Sequence, residues 1–190
     1  MITPIDRPLR LLGIAGSLRR GSFSGAVLKT LAELAPGDVA ITCHALGDVP
    51  LYNGDDDTET PPAGVRLLWQ AIGNSDGLII VTPEYNYGIP GVLKNALDWA
   101  SRPGSGFCLR GRPVLTLSVS PGATGAARAH CQLIATLDAV LARTVLRRQI
   151  TIGGVADKVQ DGRLTDPASL EAGLAGVDDL RQEIGRLRSA

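Results

Sequence analysis

Three serines and two arginines follow directly after the first apolar run of the chain, Leu9–Ala15, which is typical of a buried strand. These polar residues are Ser17, Arg19, Arg20, Ser22 and Ser24. From Phe23 onwards apolar residues recur at helical spacing, so the polar side chains surround a turn from a strand into a helix. Backbone N–H groups and the helix dipole favour an anion at such a turn.

The spacing within this turn discriminates between kinds of anion. No lysine stands between Gly13 and Lys29, so the GxxxxGK[ST] pattern of a triphosphate-binding loop is absent, and GIAGSL lacks the GxGxxG spacing of a dinucleotide site. A terminal phosphate monoester suits hydroxyl groups combined with a guanidinium. The alternative is a serine-capped helix with solvated arginines. The clustering of all these groups at the end of one strand favours the phosphate.

A second candidate site is the stretch TPEYNYGIPGVLKNALDWAS, residues 82–101. Its prolines and glycines predict a non-helical loop that carries Tyr85, Asn86 and Tyr87. A flat heteroaromatic ring needs an apolar or aromatic wall and backbone amides aimed at its ring atoms, and this loop can supply both. The alternative is that the two tyrosines are partly exposed and pack on neighbouring residues.

Alternating strand and helix patterns must position both stretches. Strand-like runs cover residues 9–15, 38–46, 76–82, 112–120 and 144–154. Helical spacing covers residues 23–34, 65–72, 92–100, 133–141 and 170–187. Continuous apolar strands separated by amphipathic helices predict one α/β domain over residues 1–190, with a five-stranded parallel sheet of order 2-1-3-4-5 and helices on both faces. The ligand crevice is expected at the carboxyl ends of strands one and three, where the two candidate stretches meet.

Composition argues against several functions. The chain has 19 basic and 19 acidic residues, so neither a nucleic acid nor an anionic membrane is expected as a partner. No run approaches the roughly 20 apolar residues of a membrane helix, and the N-terminus lacks a signal-peptide pattern, which predicts a cytoplasmic protein. Cys43, Cys108 and Cys131 show no CxxC spacing and are predicted to be reduced thiols in the core. Two histidines without suitable partners predict no metal site.

Three motifs in order, GSLRRGSFSGAV, VTPEYNYGIPGVLKNALDW and SPGATGAAR, resemble the NADPH-dependent FMN reductase family of flavodoxin-like proteins, in particular its quinone and chromate reductase branch. The resemblance implies a flavodoxin-like three-layer sandwich with bound FMN. It implies a ping-pong exchange in which NADPH or NADH reduces the flavin, which then reduces a quinone, another flavin, chromate or a similar metal oxyanion. It also implies a homodimer or homotetramer.

The resemblance assigns site residues as well. Ser17, Arg19, Ser22 and Ser24 would hold the FMN phosphate. The other expected cofactor-binding residues are Phe23, Pro83, Glu84, Tyr85, Asn86, Tyr87, Ser120 and Gly122. The sequence departs from the family pattern at Gly88, where relatives often carry Ser, at Ala126, where a second Gly often occurs, and at Ser24, which is often Asn.

No catalytic side chain is expected, because FMN itself carries the hydride at N5. His130 and Cys131 are interpreted as structural. Arg128 is either a subunit-interface residue or a solvated arginine. Two alternatives to an oxidoreductase remain: a flavodoxin-like electron carrier without nicotinamide turnover, against which the balanced charge argues, and a flavin-free phosphate- or partner-binding domain.

Overall fold

The computed structural model describes residues 7–189, and its centre is a parallel β-sheet. The strands of this sheet are β1 (Leu9–Ala15), β2 (Val39–His44), β3 (Gly77–Thr82), β4 (Pro113–Val119), β5 (Arg143–Thr144) and β6 (Ile150–Ile152). Their order is β2-β1-β3-β4-β5, with β6 also paired to β4. This confirms the predicted order of a doubly wound, flavodoxin-like sheet.

Six helices surround the sheet within the described range. They are α1 (Phe23–Leu34), α2 (Ala63–Gly73), α3 (Gly91–Ala100), α4 (Ala127–Ala139), α5 (Val155–Lys158) and α6 (Pro167–Arg188). Strand β3 shows how the layers form, because all its residues are buried and successive side chains point to opposite faces. Leu78 and Ile80 pack in the core under α2, α3 and α4, whereas Ile79 and Val81 pack in the core under α1 and α6. The predicted three-layer sandwich is confirmed.

The prediction of one continuous fifth strand over 144–154 is wrong. Strand β5 pairs with the start of β4 and β6 with its end, and the chain between them leaves the sheet. Leu146 is fully exposed there, and Arg147 turns to α6, where its Nη1 donates to Asp179 Oδ2 at 2.6 Å. Two consecutive arginines cannot occupy both covered faces of a buried strand without partners, so the strand breaks at them.

The helix predicted from the apolar spacing over residues 133–141 extends too far, because Leu141 lies beyond its end. Helix α4 ends at Ala139, and Leu141 is exposed with a φ of 59°. A non-glycine residue in the left-handed region cannot continue a right-handed helix. Leu133 and Leu137 are fully buried, as the spacing predicts.

A small hairpin follows α5 and was not predicted. Its antiparallel strands are β7 (Val159–Gln160) and β8 (Arg163–Leu164), joined by Asp161 and Gly162 at φ values of 50° and 73°. Asp-Gly is a strong signal for such a two-residue turn, so the sequence did contain the information. The hairpin is tied to α1, because Leu164 N donates to Thr30 Oγ1 at 3.0 Å.

The cysteines correct another prediction. All three are free, but Cys43 and Cys131 are exposed and only Cys108 is half-buried, so they are not core thiols. Cys43 lies on the edge strand β2 and Cys131 on α4, and neither is enclosed in the core. None of the helices in residues 7–189 is both long and apolar enough to cross a bilayer. Those residues also contain no cluster of potential metal ligands.

Candidate active site

The first turn of α1 contains a buried hydroxyl without a partner. Ser22 is the N-cap, and its Oγ accepts a hydrogen bond from Gly25 N at 3.0 Å, so the capping interpretation is right for this serine. Ser24, two residues on, is 1% exposed, and its Oγ makes no hydrogen bond to any residue that the structure describes. Leaving a buried hydroxyl unsatisfied costs about 1–3 kcal/mol, so Ser24 is suited to contact a ligand oxygen.

A cavity of about 100 Å³ lies beside Ser24, at the carboxyl ends of β1, β3 and β4. Nine of the twelve predicted cofactor-binding residues line it, which brings the two candidate stretches together. They are Ser17, Arg19, Ser22, Phe23, Ser24, Pro83, Glu84, Tyr85 and Ser120. Val119 and Pro121 complete the wall.

The other three predicted residues do not line this cavity. Asn86 and Tyr87, at φ values of 49° and 69°, are the central residues of a tight turn, and their side chains are exposed. Two hydrogen bonds close the turn, from Tyr85 N to Gly88 O at 2.9 Å and from Gly88 N to Tyr85 O at 3.0 Å. Gly122 is exposed in the β4–α4 loop (residues 120–126), and its N donates to Ser120 Oγ at 3.0 Å.

Glu84 connects the β3–α3 loop (residues 83–90) to α4. Its Oε1 accepts from Arg128 Nε at 3.0 Å and Nη2 at 2.7 Å, and its Oε2 accepts from Ala129 N at 3.2 Å. Burial alone would raise the pKa of Glu84, but the hydrogen bonds from Arg128 and Ala129 outweigh it and lower that pKa. The carboxylate therefore stays ionised at neutral pH and satisfies the N-terminus of α4.

Arg128 also holds the exposed turn in place. Its guanidinium lies 3.9 Å from the ring centroid of Tyr87, a cation–π contact. A bulky residue with a positive φ is strained, and such strain persists where neighbouring contacts fix the conformation. The contacts of Glu84, Arg128 and Tyr87 therefore make the β3–α3 loop a fixed structure.

Tyr85 bridges the two loops of the site. Its hydroxyl lies 3.3 Å from Ser17 Oγ in the β1–α1 turn (residues 16–22), and that oxygen also accepts from Arg19 N at 3.4 Å. The Tyr85 ring is 47% exposed, so one part forms the cavity wall and the other faces solvent. This is the partly exposed aromatic wall that a planar ring can stack against.

His130 lies behind the β4–α4 loop and is 1% exposed. Its Nε2 is 2.9 Å from Thr116 Oγ1 and its Nδ1 is 3.1 Å from Ser118 Oγ, which in turn donates to Gly125 O at 2.7 Å. Burial lowers the pKa of His130 to about 4, so the ring is neutral at physiological pH. This enclosed position supports the structural interpretation of His130. Sequence reasoning missed the role of Thr116 and Ser118, which no local motif marks.

Two departures from the family pattern have structural counterparts. A Cβ on Gly88 would lie 2.5 Å from Gln132 Oε1, and that oxygen accepts from Ile89 N at 2.6 Å, so a serine at position 88 would displace Gln132. Ala126 has a φ of 65°, which is the left-handed conformation that favours glycine. It directly follows Gly125, whose own Cβ would lie 2.8 Å from Ile152 N.

Comparison with known proteins decides the family, because the model of the NADPH-dependent FMN reductase family matches residues 9–157. The chain belongs to this family. This match confirms the resemblance of the three motifs, and the strand order of this chain is the flavodoxin-like one that the resemblance implies. As an NADPH-dependent FMN reductase family member, the chain is an oxidoreductase that uses NAD(P)H and FMN.

Curated relatives of this FMN reductase family member include a quinone reductase of Escherichia coli K12, 41% identical over 176 residues that cover 88% of this chain and 90% of that protein. A 2-hydroxy-1,4-benzoquinone reductase of a Burkholderia species is 46% identical over 136 residues, 70% of this chain and 74% of that protein. Among solved structures, the flavoenzyme NAD(P)H:(acceptor) oxidoreductase FerB of Paracoccus denitrificans has a TM-score of 0.84 at 32% identity and covers 94% of this chain and 98% of its own.

Proposed function

We propose that this protein transfers hydride from NADPH or NADH to a quinone by way of FMN bound at the carboxyl ends of β1, β3 and β4. The observation that carries the proposal is the buried Ser24 hydroxyl, which has no partner in the described part of the chain and lies beside a cavity that nine predicted cofactor-binding residues line. Relatives named quinone reductase and 2-hydroxy-1,4-benzoquinone reductase support a quinone as acceptor. Flavins and chromate are further acceptors to test.

The β1–α1 turn is suited to hold the phosphate of FMN. Ser17 offers a hydroxyl and Arg19 a cation, and the first turn of α1 adds the Ser24 hydroxyl, which has no partner among residues 7–189, and the positive end of the helix dipole. Ser22 caps the helix and so fixes the direction in which the first-turn N–H groups point. These groups fit a phosphate monoester, which has several acceptor oxygens.

The β3–α3 and β4–α4 loops are suited to hold the ring. When bound, FMN supplies the hydride-accepting N5 atom, so the protein itself needs no nucleophile. Pro83 and Tyr85 line the cavity from the β3–α3 loop, and Ser120 adds a polar group from the β4–α4 loop. The ion pair of Glu84 with Arg128 keeps the wall fixed, which leaves one face of the ring for nicotinamide and acceptor in turn.

No side chain in the described part of the chain is needed as a proton donor in this scheme. His130 is neutral, and Thr116 and Ser118 bond to both of its ring nitrogens, so it does not contact a substrate. Protons for the reduced quinone would come from solvent through the open face. His130 and Ser118 instead position the β4–α4 loop through the carbonyl of Gly125.

Stopped-flow and steady-state kinetics test the proposal together. Mixing FMN-loaded enzyme with NADPH alone should bleach the bound flavin absorbance before any quinone is added. Rates at several fixed quinone concentrations should then give parallel double-reciprocal lines. Intersecting lines without bleaching would exclude the ping-pong exchange. FMN binding without NADPH or NADH oxidation would instead support the electron carrier.

Homo-oligomer formation and a cytoplasmic location stay predictions. A groove between α3 and α4 contains the exposed Phe107 and Leu141 side chains, which supports a contact with a second copy. Light scattering of the purified FMN-loaded protein measures the oligomeric state directly.

A further inference from the structure

A second and larger cavity, of about 750 Å³, lies on the other side of the β1–α1 turn. It shares Ser17, Arg19, Ser22 and Phe23 with the smaller cavity, so the turn forms a common wall. The remaining wall comes from the side of α1, the carboxyl end of β2 and the β7–β8 hairpin. Its volume is within the range of about 300–1,000 Å³ that is common for small-molecule sites.

The lining of this cavity is positively charged. It includes Arg19, Arg20 and Lys29 but no aspartate or glutamate. Arg20 makes no ion pair with any residue that the structure describes, and Lys29 has only a 4.0 Å contact with Glu33 between two solvent-exposed groups. Both cations are thus available to an anionic ligand.

Histidine and carboxylate groups nearby do not change this charge balance. Burial, the larger effect, lowers the pKa of His44 at the end of β2, against the opposing influence of Asp48, so His44 is neutral at physiological pH. Asp48 itself is not among the lining residues. The positive charge of the cavity therefore comes from the arginines and Lys29.

Part of the remaining lining is apolar and suits a flat ring. Leu18 is 59% exposed at the cavity, and Leu46 and Val159 face it from the β2 end and from the hairpin. The hairpin is fixed to α1 through the bond from Leu164 N to Thr30 Oγ1. A ligand that combines a purine ring with a phosphate matches both parts of this lining.

We propose that this cavity binds the 2′-phosphorylated adenosine half of NADPH, with Arg20 and Lys29 contacting the 2′-phosphate. The proposal rests on the proposed function and specifies the nucleotide. The cavity lies next to the proposed FMN site, because the two cavities share the β1–α1 turn. NADH lacks the 2′-phosphate, so the two cations favour NADPH over NADH.

The test compares Arg20→Ala, Lys29→Ala and the double variant with Arg66→Ala. Arg66 is an exposed arginine on α2 that lines neither cavity and makes no ion pair within residues 7–189, so it controls for loss of charge. Each single cavity substitution should lower kcat/KM for NADPH about tenfold and leave kcat/KM for NADH unchanged. In the double variant, kcat/KM for NADPH should fall roughly a hundredfold. Calorimetry with 2′,5′-ADP on the FMN-loaded enzyme should show matching increases in Kd, while 5′-AMP binding stays constant.

The outcomes separate this proposal from the proposed function. If kcat/KM fell equally for NADPH and NADH, or if the ratio of the two kcat/KM values were unchanged in the double variant, the 2′-phosphate site would be overturned. A weakened affinity for FMN would assign the cavity to FMN and also overturn it. Wild-type protein that oxidises neither nucleotide would contradict the proposed function. Even then, 2′,5′-ADP binding that Arg20→Ala and Lys29→Ala abolish would support the site.

Discussion

In the first turn of α1 the buried Ser24 hydroxyl has no hydrogen-bond partner among the described residues, whereas in the β3–α3 loop the Glu84 carboxylate accepts three hydrogen bonds. The guanidinium of Arg19 is exposed and makes no ion pair in residues 7–189, while that of Arg128 contacts both Glu84 and Tyr87. Ser24, Arg19 and Glu84 all line the same cavity.

The difference separates two tasks of a binding site. Polar groups that are unsatisfied in the protein gain most from a ligand, because binding removes a cost that folding left in place. Polar groups that are already satisfied gain little from a ligand, but they keep a wall in one conformation. Substitutions in the β1–α1 turn and the first turn of α1 should therefore change FMN affinity, and substitutions around Glu84 should change stability.

Arg19→Ala is expected to have the largest effect. A hydrogen bond to a charged group contributes about 1.5–3 kcal/mol, so losing it should weaken FMN binding roughly ten- to hundredfold. The melting temperature of the apoprotein should not change, since this exposed side chain has no ion pair to lose. Fluorescence titration of apoprotein with FMN measures the Kd, and Arg66→Ala is the control. Unchanged affinity in a folded Arg19→Ala protein would remove Arg19 from the site.

Ser24→Ala should weaken FMN binding about tenfold, near the lower end of the same range, because a neutral hydroxyl contacts a charged phosphate. The apoprotein should be as stable as the wild type or slightly more stable, since the substitution removes an unsatisfied buried group. Thermal unfolding with and without FMN measures both effects. A less stable apoprotein with normal FMN affinity would mean that Ser24 has a structural partner.

Glu84→Gln should lower the free energy of unfolding by about 1 kcal/mol at neutral pH, because Arg128 is half exposed and such pairs contribute little. The pKa of Glu84 is lowered on folding, so its stabilisation is present above the unfolded pKa and is lost as pH falls through the folded one. Urea unfolding from neutral to acid pH should show wild type and variant converging in acid. If the difference in unfolding free energy between wild type and variant did not depend on pH, the ion pair would contribute nothing to stability. FMN affinity should change less than in Arg19→Ala.

Regions whose structure depends on neighbouring residues in the sequence were predicted best. Every residue of β3 is buried, so its unbroken apolar run indicates a central strand without further information. The prediction of a continuous fifth strand was wrong because the course of this segment depends on the ion pair between Arg147 and Asp179, 32 residues away along the chain. The prediction that Cys43 is buried was wrong because the sequence alone does not show how much of an edge strand is covered.

The same limit applies within the site. Spacing placed Ser22 and Ser24 together, yet only the fold distinguishes a serine that caps α1 from one that is buried without a partner. The bond between Glu84 and Arg128 spans 44 residues and follows from the pairing of β3 with β4, which brings the loop beside α4. Tyr87 is predicted to bind the cofactor, and only the structure shows that a turn with two positive φ values places its ring against Arg128.

The donors and acceptors in the hydrogen-bond chain through His130 can be assigned, and they place the single ring proton of the neutral imidazole on one nitrogen. Gly125 O can only accept, so Ser118 donates to it, Nδ1 of His130 carries the ring proton, and Thr116 donates to Nε2. Folding lowers the pKa of His130 from 6.5 to about 4, so between these values the unfolded chain takes up a proton that the folded chain does not bind. Acidification across this interval therefore draws the equilibrium towards unfolding. The neutral tautomer of His130 and the position of Gly125 in the β4–α4 loop are thus stabilised by one chain of hydrogen bonds.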